Sequence, residues 1–298
     1  MRDLDIIGVQ MDLGASKRGV AMGPMAIRYG GLCEGLANLG HTVHDCGDIV
    51  PLSEGESLPD LRYYTQVVDV NRHLFEAVTH SLARGHFPIT LGGDHSIAAG
   101  SVAASAAHFA PRGGLGVIWI DAHGDWNNQE STLTGNMHGM PFSAVCGHGP
   151  DCMVDFGQGP VFVDPRHCVQ IGGRDIDDEE RRRMKAAGIT VFPINVIDRF
   201  GMGEIMHRAL EVAGNGTAGI HLSFDVDAIT PEAAPGTGTV VHSGLTVREA
   251  FLAVETMAES GKLVSLDMVE VNPILDERNK TGILASELIQ SALGKVVY

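Results

Sequence analysis

Positive charge is scarce in this chain. Only 21 lysines and arginines stand against 37 aspartates and glutamates in 298 residues, a net charge of −16. Nucleic-acid binders need a basic face for the phosphate backbone, so that class is excluded. Long apolar runs are also missing; none reaches the roughly 18 residues of a membrane span. The five cysteines, Cys33, Cys46, Cys146, Cys152 and Cys168, are odd in number, and no two form a C-x-x-C pair. A disulfide framework is thereby excluded, and a reducing cytoplasm is the expected compartment. The first residues, Met1 to Asp5, enter a strand at once with no leader-like apolar stretch. No linker, repeat or low-complexity segment interrupts the sequence, so one domain over 1–298 is expected.

What is present is enough apolar material for a substantial core. Hydrophobic residues make up 44% and charged residues 19%, which excludes disorder. The acidic excess suits a cationic substrate and, equally, the ordinary solubility of a soluble protein. Short apolar strands are expected at Asp5–Val9, Thr42–Ile49, Phe87–Leu91, Gly114–Ile120, Cys168–Ile171, Ala218–Phe224 and Leu263–Val269. Helical spacing falls at Met25–Leu39, Leu61–Ala83, Ser96–His108, Asp178–Ala187, Thr246–Ser260 and Thr281–Leu293. Strands alternating with helices predict an α/β fold with a parallel sheet covered on both faces.

The organising stretch is Gly116-Val117-Ile118-Trp119-Ile120-Asp121-Ala122-His123-Gly124-Asp125. An apolar strand ends in an acid, a histidine and a second acid at alternate positions, which strand geometry places on one side. Three ionisable groups there call for something cationic. Asp94-His95, Asp175, Asp225-Val226-Asp227 and Glu270 also lie just past strand ends. That edge of an open α/β sheet is where ligands bind. His95, Asp121, His123, Asp125, Asp225 and Asp227 give two imidazoles and four carboxylates, too many for one four-coordinate zinc. Two ions bridged by shared carboxylates fit better, about 3.5–4 Å apart and holding a hydroxide for attack. Oxygen-rich ligation favours manganese, and imidazole leaves zinc, nickel or cobalt open. The other histidines read as structural, and Glu179-Glu180-Arg181-Arg182-Arg183 reads as a solvated helix face. Gly214-Asn215-Gly216-Thr217-Ala218-Gly219 matches G-x-G-x-x-G but precedes a strand, so it reads as a turn and not as a dinucleotide site.

Gly92-Gly93-Asp94-His95-Ser96, Asp121-Ala122-His123-Gly124-Asp125 and Ser223-Phe224-Asp225-Val226-Asp227 together resemble the ureohydrolase family of arginase, agmatinase and their relatives. The likeness runs from Gly8 to Asp276 and is nearest to the bacterial arginases. It implies a three-layer α/β/α fold around a mostly parallel eight-stranded sheet and two Mn2+ per subunit. His95, Asp121, Asp125 and Asp225 would hold one ion. His123, Asp121, Asp225 and Asp227 would hold the other, with Asp121 and Asp225 bridging. Asn127, Thr132 and Thr134, in a loop dense in neutral hydrogen-bond donors, would receive a substrate α-carboxylate, and Asp177 its α-amino group. Glu270 would pair with a guanidinium, Thr239 would lie near that pocket, and Asp125 and His138 would move protons. The implied reaction is hydrolysis of L-arginine to L-ornithine and urea. Agmatine or another guanidino compound is the alternative substrate, and a non-catalytic binding protein on the same scaffold is the alternative class. A homotrimer or homohexamer is the implied assembly. One departure stands out: the chain reads His242-Ser243-Gly244-Leu245 where arginases commonly have Gly-Gly before the leucine.

Overall fold

The computed structural model describes residues 1–157 and 159–296. Eight strands form one sheet: β1 (Asp3–Val9), β2 (Thr42–Ile49), β3 (Phe87–Leu91), β4 (Leu115–Ile120), β5 (Cys168–Ile171), β6 (Thr190–Phe192), β7 (Gly219–Asp225) and β8 (Leu263–Val269). Their order is β2-β1-β3-β8-β7-β4-β5-β6, and every adjacent pair is parallel. The last two long strands therefore insert between β3 and β4. This brings the ends of four central strands side by side, although they are far apart in sequence.

Helices cover both faces. Leu115, Val117 and Trp119 of β4 enter one core cluster, while Ile118 and Ile120 enter the other. Strand alternation divides a continuous apolar run between two helical layers, as a fully buried parallel strand requires. One layer is built on α3 (Tyr64–Ala83), α4 (Ala98–Phe109) and α5 (Pro141–Val145). The other is built on α1 (Gly23–Tyr29), α2 (Leu32–Asn38), α7 (Ile194–Phe200), α8 (Met202–Ala213), α9 (Val247–Ser260) and α10 (Lys280–Ala292). Between them in sequence, α6 (Asp178–Ala187) starts with a capping box in which Asp177 and Glu180 satisfy each other's backbone N–H groups.

Several expected boundaries move. The helix expected over Met25–Leu39 is two helices, because Gly30 and Gly31 break it. Gly31 has φ 84°, and a Cβ on Gly30 would meet the Gly282 carbonyl at 2.8 Å. Helix α3 begins at Tyr64, not Leu61. The stretch from 188 to 217, left unassigned by pattern, holds β6, α7 and α8. Strand β6 is only three residues long, too short for a periodic signal. Helix α8 buries Met202, Ile205, Met206, Ala209 and Ala213, a legible amphipathic stripe. The G-x-G-x-x-G run is the turn between α8 and β7.

Candidate metal centre

The chemistry-bearing residues lie where five strands leave the sheet. His95 follows β3; Asp121, His123 and Asp125 follow β4; Asp175 and Asp177 follow β5. Asp225 ends β7 with Asp227 just beyond, and Glu270 follows β8. The turn after β3 needs its glycines, since a Cβ on Gly93 would lie 2.1 Å from the Met11 carbonyl oxygen. Simple strand alternation does not bring Asp121, His123 and Asp125 together, contrary to expectation. Strand β4 stops at Ile120, and Asp125 takes φ 48°, which turns its carboxylate back toward His95.

Two nests result. In the first, His95 Nδ1 faces Asp121 Oδ2 at 3.1 Å, Asp125 Oδ2 at 3.0 Å and Asp225 Oδ2 at 3.3 Å. In the second, His123 Nδ1 faces Asp121 Oδ1 at 3.4 Å and Asp227 Oδ2 at 3.1 Å. Asp121 thus contributes one oxygen to each. The Asp225 Oδ1 atom accepts the Asp227 N–H at 2.8 Å, so only Oδ2 of that residue faces His95. Thr239 Oγ1 donates to Asp227 Oδ2 at 2.7 Å.

The electrostatics are those of a site made for cations. Among the described residues no lysine or arginine pairs with these four aspartates. The nearby Arg174 guanidinium donates to the backbone carbonyls of Gly172, Asp227, Ala228, Val241 and His242. Burial opposes charge on the His95 and His123 imidazoles, but the surrounding carboxylates hold both well above the usual histidine range. Burial and the Asp121 charge push Asp125 up to about 7. Asp225 is raised well above the carboxylate range by burial, Asp227 and Asp121. His95 Nδ1 and Asp125 Oδ2 are buried polar atoms with no hydrogen-bond partner. Such orphans are rare, and here both point into the same nest. A divalent ion would satisfy them together, and the mixed imidazole and carboxylate donors suit a first-row metal.

Around the nests lies a polar network that the sequence reading passed over. His95 Nε2 pairs with Ser223 Oγ at 2.8 Å, and Ser223 donates to Asp267 Oδ1. Asp267 Oδ2 is 2.8 Å from His221 Nε2, and His221 Nδ1 is 2.8 Å from Ser265 Oγ. All are buried. His95 also stacks on Trp119, whose Nε1 donates to Asp121 Oδ2 at 2.9 Å. These contacts fix ring orientation and tautomer, as supporting shells of metal sites do. Period-two apolar strands carrying Ser223, His221, Ser265 and Asp267 were the available signal.

A cavity of about 160 Å3 opens onto the nests, lined by His95, His123, Asp125, Asn127, His138, Asp175, Asp177, Glu180, Asp225 and Thr239 among others. Asn127, Asp177, Thr239 and His138 therefore gather there. Thr132 and Thr134 do not line it. The Thr132 hydroxyl accepts the Thr134 and Gly135 N–H groups, and Thr134 accepts that of Asn136. Glu270 lies behind the cavity wall, accepting the His95 N–H and facing His138 Nδ1, both at 2.9 Å. That contact pushes His138 up to about 9 despite its burial. Glu180 corrects the reading of a solvated run. It is buried, its Oε1 accepts the Trp126 N–H at 2.9 Å, and it lines the cavity. Arg183 of the same run donates to Ser131 Oγ at 2.8 Å and so holds the loop that carries Asn127 and Thr132.

Comparison with known proteins gives one answer over the whole length. The Arginase family model matches residues 2–294. The arginase of Bacillus caldovelox is 44% identical over 300 residues, covering 99% of each chain, and that of Bacillus subtilis is 42% identical over 296 residues, covering 99% of this chain and 98% of the relative. The crystal structure of the Bacillus caldovelox arginase superposes with a TM-score of 0.95 at 43% identity, with complete coverage of both chains. By its sequence, its sheet order and its carboxylate–histidine nests, this chain belongs to the arginase family, hydrolases of the guanidino carbon–nitrogen bond.

Proposed function

We infer that the protein hydrolyses L-arginine to L-ornithine and urea, and that its resident metal is a pair of manganese ions. The observation that carries this reading is the division of the Asp121 carboxylate between two histidines, with Asp125 Oδ2 and His95 Nδ1 left without hydrogen-bond partners beside it. His95, Asp121, Asp125 and Asp225 would hold one ion; His123, Asp121, Asp225 and Asp227 would hold the other. When bound, the pair supplies a deprotonated water at neutral pH as nucleophile and polarises the guanidino carbon.

The chain's own groups do the rest. Glu270, behind the cavity wall and against His138, would draw the guanidinium toward the nests by its negative charge. Asp125, whose buried Oδ2 has no hydrogen-bond partner and faces the nest, would accept a proton as the carbon becomes tetrahedral. His138 carries a proton on its imidazole and delivers it to the departing ornithine amine. Asn127 and Asp177 at the cavity wall recognise the α-carboxylate and the α-amino group, with Thr132 and Thr134 on the same loop as Asn127. Thr239 keeps Asp227 in place. Five free cysteines support work in a reducing cytoplasm, and among the described residues no helix is long and apolar enough to cross a membrane. A homotrimer or homohexamer completes this reading and is checked by sedimentation.

The test is urea release from arginine, agmatine and 4-guanidinobutyrate after manganese loading. A site that pairs polar groups with the α-carboxylate and α-amino group rejects analogues lacking them by a large factor. Arginine is expected to exceed agmatine in kcat/KM by about 10³-fold or more. Turnover of agmatine without turnover of arginine overturns the assignment, and full turnover after metal removal overturns the mechanism.

A further inference from the structure

At the opposite rim of the sheet, where strands begin, a second cluster has the chemistry of a metal site. Asp3 opens β1, His44 lies in β2 and His86 immediately precedes β3. The register explains why they meet. Asp5 pairs with His44, and Leu4 with Phe87, so Asp3, Asp5, His44 and His86 all project from one face. One donor atom from each of Asp3, His44 and His86 lies within 4.8 Å of the others. The two imidazoles stack with ring centroids 5.1 Å apart, and His44 Nε2 is 3.4 Å from Asp3 Oδ1.

The decisive feature is Asp5. It is fully buried and accepts from His86 Nδ1 at 3.0 Å, while Arg84 Nη2 holds its other oxygen at 2.6 Å. A carboxylate fixing one ring nitrogen sets the tautomer and orientation of a ligating histidine and leaves Nε2 free to bind. Arg84 neutralises Asp5, so the charge left for an incoming cation is that of Asp3. Among the described residues Asp3 has no lysine or arginine partner.

We propose that Asp3, His44 and His86 form a separate zinc site, with water as the fourth ligand. Two imidazoles and one carboxylate match the open tetrahedral donor set of zinc. Bonds of about 2.0–2.1 Å need the donors drawn together and the His44 ring turned out of its stack on His86, which rotation of the exposed Asp3 and His44 side chains allows while Asp5 holds His86. The site lies a strand's length, roughly 20 Å, from the metal centre. Zinc there ties the exposed edge strand β2 to β1 and to the entry of β3. It acts as a clasp and takes no part in turnover.

The experiment loads the full-length enzyme with manganese, adds zinc, desalts, and counts both metals per subunit in wild type, His44→Ala and His86→Ala. Wild type is expected to hold one more zinc per subunit than either variant, whatever fills the main centre. Zinc affinity falls at least tenfold in each variant, with unchanged arginine turnover. Zinc should also raise the wild-type Tm and leave that of the variants in place. Equal zinc content in all three proteins overturns the proposal, as does zinc uptake matched one for one by manganese lost. Binding of zinc by both variants with wild-type affinity overturns it independently of how the main site behaves.

Discussion

Asp121 divides its carboxylate between two histidines, with Oδ2 3.1 Å from His95 Nδ1 and Oδ1 3.4 Å from His123 Nδ1. Both oxygens are also held by N–H donors, Trp119 Nε1 at 2.9 Å and the His123 amide at 2.7 Å. The carboxylate is therefore pinned in the orientation that two neighbouring cations need. In Asp121→Asn, the amide nitrogen meets one of those donors and loses an acceptor in either orientation. On the proposed two-metal reading, manganese content after loading should drop below two per subunit and turnover by about 10³-fold or more, because positioning and nucleophile generation fail together. Elemental analysis with a urea assay checks this. Retention of both metals at wild-type turnover would contradict it.

Ser223 links the first nest to the buried Asp267–His221 pair through His95 Nε2. Ser223→Ala leaves that ring nitrogen without a partner and frees the imidazole to turn. Manganese affinity at the nest containing His95 is expected to weaken about 10–100-fold. The lost hydrogen bonds should also cost about 1–3 kcal/mol of stability. Competitive metal titration and urea denaturation report the two effects separately. Unaltered affinity would show that the ring is held by Trp119 stacking alone.

The Asp267 carboxylate predicts a pH dependence. Burial alone would raise it, but the His221 charge and hydrogen bond, with the Ser223 hydroxyl, hold it below the usual carboxylate range. A depressed folded-state value means that its stabilisation is present above the unfolded value near 3.9, and is lost as pH falls through the folded one. Asp267→Asn should be less stable than wild type by about 3–5 kcal/mol at pH 7, since it strands a buried partner. The gap should narrow as pH is lowered below about 4. Denaturation series at pH 7, 5, 4 and 3 measure it, and a constant gap would refute the coupling.

Ser243 stands in the left-handed region at φ 62°, next to Gly244, where an added Cβ would meet the Ala228 carbonyl at 2.6 Å. An L-residue there costs about 1–2 kcal/mol, and glycine gives back part of the difference through its freer unfolded chain. Ser243→Gly should therefore gain about 0.5–1 kcal/mol and raise Tm by about 2 °C, with Ser243→Ala giving no gain. A fall in Tm for the glycine variant would show that the serine side chain contributes a contact that outweighs the strain.

The alternation of apolar strands and amphipathic helices, and the placing of acids and histidines at strand ends, are local properties, and the sequence alone determined them. Six candidate ligands were legible because each sits within a few residues of a strand end. The limits of that reading are as physical as its success. Asp125 reaches the nest through a left-handed turn that strand periodicity does not encode. Glu180 and Arg183 look like a solvated run until α6 is docked against the loop they hold. Which strands neighbour one another was decided only in three dimensions. Strands β8 and β7 enter between β3 and β4, joining residues 95, 121, 225 and 270, and β1, β2 and β3 align Asp3, Asp5, His44 and His86 at the other rim. Strand pairing between distant segments depends on burial of both sheet faces at once, a property of the whole core and of no local window.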